Sequence, residues 1–137
     1  MMIITDSSAL IALLNAEDPA HARCAEALQF LPAQPLLITV PSLVEAMYFL
    51  GKLGGFALQS HLWTLWTHGK IAIHCPSDAE LQRMRTLMEK YADIPMDLAD
   101  ASIVAAAESL NLDTVFTLDS DFHVYRLYDK RPFNVIP

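Results

Sequence analysis

Residues 96–121 read MDLADASIVAAAESLNLDTVFTLDSD, and this stretch decides the fold. Leu98 to Leu110 forms an alanine-rich helix, Asn111-Leu-Asp113 turns the chain, and Thr114-Val-Phe-Thr117 is a short strand. A helix leading directly into a short apolar strand is the repeating unit of a parallel α/β sheet covered on both faces.

The same alternation runs through the rest of the chain. Met2-Ile-Ile-Thr5 is an apolar run ending in Asp6-Ser7-Ser8, and Ala9, Leu10, Leu13 and Leu14 follow at helical spacing. Asp18-Pro19 predicts an N-cap with proline at the first helical position, opening a second helix through Ala22, Ala25 and Leu28 that stops at Pro32. Leu36 to Val40 is the second strand. Pro41 and Ser42 start a helix reaching about Leu50; Gly51, Gly54 and Gly55 break it, and Phe56 to His68 resumes it. Lys70 to His74 is the third strand, Pro76-Ser77 opens a long helix to about Tyr91, and Ile94-Pro95 is a connector. With Thr114–Thr117 fourth and Phe133 to Ile136 a candidate fifth, the expected architecture has three layers. A mainly parallel central sheet of four to five strands is flanked by helices.

Composition sets the limits. The 137 residues suit one domain spanning 1–137, and 53% hydrophobic against 18% charged residues excludes a disordered chain. A net charge of −7 is opposite to the basic balance of proteins that hold nucleic acid by phosphate neutralisation alone. Cys24 and Cys75 lack a CxxC or zinc-finger spacing and read as buried thiols. The Ala9–Leu14 run falls far short of the roughly 20 residues that span a bilayer, and no basic leader precedes it, so a cytoplasmic location is expected.

In a parallel sheet, ligands bind at the carboxyl ends of the strands. Asp6 closes the first strand, and Glu45 lies in the first turn of the helix after the second. Asp97 and Asp100 begin the helix that precedes the fourth strand, so they return to the same edge. Asp119 and Asp121 follow that strand directly. Six carboxylates from four segments thus converge on one rim where Lys and Arg are nearly absent. Like charges at short range raise one another's pKa unless a cation neutralises them. The fitting counterion is Mg²⁺ or Mn²⁺, hard ions that take oxygen ligands and activate water for phosphodiester displacement.

Taken singly, each acid also has a structural role open to it. Asp6 is a fitting cap for the first helix, and Ser42-Leu-Val-Glu45 matches a capping box. Asp97 and Asp100 complement a helix dipole, and Asp119-Ser-Asp121 suits a turn. Their convergence on one rim is what capping alone leaves unexplained. Asp97 and Asp100, at i and i+3, share a helical face, so either is placed to be the nearer ligand.

Four stretches carry a family resemblance: Ile4-Thr-Asp6-Ser-Ser, Pro41-Ser-Leu-Val-Glu45-Ala, Met96-Asp97-Leu-Ala-Asp100-Ala-Ser-Ile-Val-Ala-Ala-Ala and Thr117-Leu-Asp119-Ser-Asp121-Phe122. In this order, over nearly the whole chain, the sequence resembles PIN-domain ribonucleases, most closely the toxin component of VapBC-type toxin–antitoxin pairs. The resemblance implies a Mg²⁺- or Mn²⁺-dependent endoribonuclease with Asp6, Glu45, Asp100 and Asp119 as catalytic acids. Asp97 and Asp121 would be accessory metal ligands, and the Thr117 hydroxyl a support. It also implies an RNA substrate, a homodimer, and a cognate antitoxin whose tail lies in an apolar groove near the acidic rim. The alternative is a non-catalytic module of the same fold that binds RNA or protein.

Other chemistries lack their residues. There is no G-x-x-x-x-G-K-[ST] loop, no G-x-G-x-x-G, and no HExxH among His21, His61, His68, His74 and His123; Ser7 and Ser8 have no elbow glycines. A dehalogenase-type phosphatase would need an Asp where Ser8 stands. Leu58, Leu62, Leu65 and Trp66 form a helical stripe whose default is core. Tyr48, Phe49, Phe56, Trp63 and Trp66 are dense enough to leave an interface open as well. Arg126, Lys130 and Arg131 are the basic cluster nearest the acids, either a solvated tail or a phosphate contact.

Overall fold

The computed structural model describes residues 2–137. Strand β1 (Ile3–Thr5) leads into α1 (Ser7–Leu14) and α2 (His21–Leu28). β2 (Leu36–Thr39) leads into α3 (Val40–Thr67), and β3 (Ile71–His74) is followed by α4 (Asp78–Lys90) and α5 (Leu98–Leu110). After β4 (Thr114–Phe116) come a 3₁₀ turn (Ser120–His123), the short strands β5 (Arg126–Leu127) and β6 (Arg131–Pro132), and β7 (Asn134–Ile136). Five strands form one parallel sheet in the order β3-β2-β1-β4-β7, as the alternation of short strands and helices requires.

The sheet is buried on both faces because successive side chains on each strand point opposite ways. Ile4, Leu37 and Val115 pack against Met84 and Leu87 of α4 and the alanine-rich face of α5. Ile3, Leu36, Ile38 and Phe116 pack against Leu10 of α1 and Leu50 and Leu62 of α3. Small residues at 101 and 105–107 put α5 close to the sheet, and because α5 feeds the parallel strand β4 it runs antiparallel to it, with its amino end at the strands' carboxyl edge. Among the described residues, no helix is long and apolar enough to cross a membrane.

Several local expectations are corrected. Asp18 does not cap α2: its carboxylate accepts from the Ala20 N–H (2.8 Å), so Asp18-Pro19 form a turn and the helix starts at His21. α3 starts earlier than Pro41-Ser42, with Thr39 as cap accepting from the Ser42 N–H and Pro41 tolerated in the first turn. Cys24 is buried, but Cys75 is exposed. The aromatic residues of α3 face outwards, with Phe56 71% exposed and Trp66 50%, whereas Leu62 is core.

The glycine break narrows to one residue. Gly55 (φ 66°, ψ −159°) interrupts α3, while a Cβ on Gly51 would meet Gln59 of the returning arm at 2.6 Å. Gly55 itself has nothing within 4 Å of a would-be Cβ, so its requirement for glycine is wholly in the backbone. Gly55→Ala is therefore expected to cost about 1–3 kcal/mol. Urea denaturation measures it, and unchanged stability would mean that the two arms can join through an ordinary conformation.

Candidate metal centre

The carboxyl edge is built first by backbone pairing. The Asp6 N–H donates to the Phe116 carbonyl (3.1 Å), extending the β1–β4 ladder one residue past the end of β1. This sets Asp6 beside Thr117, whose hydroxyl donates to Asp6 Oδ2 (2.5 Å) and accepts from the Asp119 N–H (2.9 Å). One threonine oxygen thus ties two acids from opposite ends of the chain. Asp6 Oδ1 accepts from the Ala9 N–H, capping α1, and from the Ser8 hydroxyl (2.7 Å). Ser8 in turn accepts from the Leu118 N–H (3.0 Å), a second stitch between the same segments.

Asp119 Oδ1 accepts from the Asp121 N–H (2.9 Å) and caps the 3₁₀ turn. Asp97 is exposed and caps α5 by accepting from the Asp100 N–H (2.8 Å). Asp100, one turn in, is buried, and its Oδ2 accepts from the Tyr125 hydroxyl (2.8 Å). Asp100, Asp119 and Asp121 each offer a carboxylate oxygen, all within 4.8 Å of one another. Asp97 is outside that trio. Glu45 is half-buried and accepts from the hydroxyl of Ser7, next to Asp6. Because α3 starts at Val40, Glu45 falls in its second turn and belongs to no capping box.

The capping role expected of Asp6 holds, Asp97 and Asp119 also cap the elements they precede, and none of these roles competes with clustering. A carboxylate has two oxygens, and a cap uses one. Tyr125, Ser7 and Ser8 are the polar partners that sequence reasoning missed. Ser7 and Ser8 carried a signal in following an acid at a strand end. Tyr125 carried none, standing in the mixed stretch Phe122–Leu127 with no acid beside it.

Electrostatics match the crowding. Burial, with repulsion from Asp97, Asp119 and Asp6, pushes the Asp100 carboxyl up to about 7 against the opposing bond from Tyr125. Burial also raises Asp6, partly offset by Thr117, Ser8 and Ala9, and burial with repulsion from Asp119 raises Asp121. Among the described residues, no ion pair involves any of the six acids. Arg126 donates instead to the carbonyls of His123, Val124 and Tyr125, and Arg131 lies over the Tyr128 ring. An all-oxygen donor set crowded with like charge and with no internal cation among the described residues fits a hard divalent ion. Asp100, Asp119 and Asp121 are placed to hold it, with Asp6 adjoining through Thr117.

The PIN domain family model matches residues 3–127. Ribonuclease VapC26 of Mycobacterium tuberculosis (strain ATCC 25618 / H37Rv) is 27% identical over 136 residues, covering 98% of this chain and all of that protein. Among solved structures, VapC20 of Mycobacterium tuberculosis, a Sarcin-Ricin loop cleaving toxin, superposes with a TM-score of 0.83 at 17% identity, over 95% of this chain and 99% of that one. A toxin–antitoxin complex from Klebsiella pneumoniae gives 0.68 at 21% identity, over 98% and 96% of the two chains.

The raised Asp100 has a thermodynamic signature. Its folded carboxyl binds a proton more tightly than the unfolded one, so its burial penalises folding little at low pH. The penalty grows as pH rises from about 4 towards 7. In EDTA, the melting temperature of wild type relative to Asp100→Asn should fall across that window, leaving the variant the more stable at neutral pH. Parallel curves would show that Asp100 ionises normally.

Proposed function

The chain belongs to the PIN domain family, and from that premise we propose that it is a divalent-metal-dependent endoribonuclease, the toxin of a type II toxin–antitoxin pair. The observation that carries the reading is the convergence of Asp100, Asp119 and Asp121, unpaired with any Lys or Arg among the described residues, on a rim shared with Asp6. The likeness to Ribonuclease VapC26 over 98% of this chain and all of that protein supports RNA as substrate. A fold shared with a component of toxin–antitoxin complexes supports the pairing.

Bound there, Mg²⁺ or Mn²⁺ would activate water and stabilise the charge that develops on a phosphodiester under attack. The chain's own residues do the rest. Asp100, Asp119 and Asp121 supply ligand oxygens. Asp6 is held rigid by three donors, and Glu45 completes the acid set from α3, anchored through Ser7. Asp97 keeps the first turn of α5 wound so that Asp100 points inwards. The clustered acids repel a phosphodiester locally until a bound cation offsets their charge, which makes substrate engagement at this rim depend on the ion.

Two apolar features support protein partners. A groove of about 710 Å³ is lined by Leu10, Leu13 and Leu14 of α1 with Leu28, Leu31 and Leu65, and suits the apolar tail of an antitoxin. It reaches Leu36 and Ile71, the amino ends of β2 and β3, and so lies away from the acidic rim near which the family resemblance implies an antitoxin tail. The exposed Tyr48, Phe56, Trp63 and Trp66 of α3 offer a separate face for a second copy of the chain.

The test is RNA cleavage in Mg²⁺ or Mn²⁺ against EDTA. Asp6→Asn, Glu45→Gln, Asp100→Asn and Asp119→Asn should each lower the rate by more than the roughly 10–100-fold typical of losing a ligand's supporting partner. Each should retain the circular dichroism of wild type. Cleavage that persists in EDTA sinks the metal mechanism, and RNA binding without cleavage by wild type favours the non-catalytic module.

A further inference from the structure

The acids of the centre differ in what fixes them. Asp6 is held by three donors on two oxygens, and Asp119 by the Asp121 N–H. The carboxyl torsion of an aspartate is broad and has no strong intrinsic preference, so an oxygen ligand keeps its plane only if something else bonds to it. Among the described residues, the Asp100 carboxylate has one hydrogen-bond partner, the Tyr125 hydroxyl. Tyr125 is fully buried although it is polar, and the reaction proposed above assigns it nothing.

The surroundings of Tyr125 are those of a seated group. Tyr91 meets its ring edge-on at 5.0 Å and Phe122 at 5.1 Å, so the ring has no room to swing. The following residue is pinned as well, since the Arg126 N–H donates to the Tyr91 hydroxyl (3.0 Å). Two residues further on, the Tyr128 N–H donates to Glu108 Oε2. Glu108 lies on α5, the helix that carries Asp100, and its carboxylate itself accepts from Nε and Nη2 of Arg83. The segment from 125 to 128 is thus stitched to α5 at two points eight residues apart on that helix.

We propose that Tyr125 is a positioning residue for the metal centre, its phenol fixing the plane of the Asp100 carboxylate within the cluster formed with Asp119 and Asp121. This rests on the metal-dependent reading above. Tyr125 touches neither the ion nor the substrate; it acts through Asp100. The arrangement parallels the outer partners that orient metal ligands in general, whose loss weakens binding because the ligand then samples directions that miss the ion.

The test is Mn²⁺ affinity of the full-length chain, read by the electron paramagnetic resonance of free Mn²⁺, together with the melting temperature in EDTA. Tyr125→Phe keeps the ring and removes the phenol. Tyr91→Phe makes the same change on the neighbouring ring and removes a bond to backbone instead of to Asp100. Both variants are expected to lose some thermal stability. Only Tyr125→Phe should bind Mn²⁺ more weakly, by about 10-fold or more. Equal affinity in wild type and Tyr125→Phe overturns the positioning role while leaving the metal centre standing, and equal losses in the two variants reduce Tyr125 to packing. A wild type that binds no Mn²⁺ overturns the metal reading and this one with it.

Discussion

The parallel pairing of β1 with β4 sets Thr5 opposite Phe116 and hence Asp6 beside Thr117. Everything at the site hangs on that register. A slip of one residue would turn Asp6 into the sheet and place a buried hydrophobe at the rim. The register is secured by what lies beneath it. Ile4 and Val115 are committed to one face of the sheet, Ile3 and Phe116 to the other, and none can exchange without opening the core. Hydrophobic patterning thus aims the polar residues at the strand ends, although it contributes no polar contact of its own.

The five helices and four strands of the sheet, with the fifth as a candidate, are legible from residue type and spacing because most are strongly patterned and bounded by turn or breaker residues, although the starts of α2 and α3 were misplaced. α5 and β4 show this best: an alanine-rich run, Asn111 in the left-handed conformation at its end, then three apolar residues. What escaped detection is the stretch from 120 to 132. Its tight turn places Tyr128 (φ 53°) and Asp129 (φ 62°) in the left-handed region without glycine, so the usual composition signal is missing. Tertiary contacts supply what local sequence lacks. Asp129 accepts from Arg83 and Lys90 on α4, and the Tyr128 hydroxyl donates to the Glu108 carbonyl on α5.

The acids were legible as a set more than as individuals. Topology sends all six to one edge, but only side-chain geometry separates Asp100, folded into the trio, from exposed Asp97, whose carboxylate oxygen closes the helix. Glu45 shows the converse error. A capping-box pattern at Ser42 suggested a structural role, yet the helix begins at Val40, and that pattern had counted from the wrong residue.

Three of the acids, Asp6, Asp97 and Asp119, hold a helix start with one oxygen while facing the rim. Asparagine caps a helix about as well as aspartate, since the cap needs an acceptor and not a charge. A single exchange at Asp6 or Asp119 therefore separates charge from shape. Under the toxin function proposed above, the route to a disarmed descendant is short. Such a descendant keeps its strand register, its grooves and its aromatic face, and would still compete for whatever binds them.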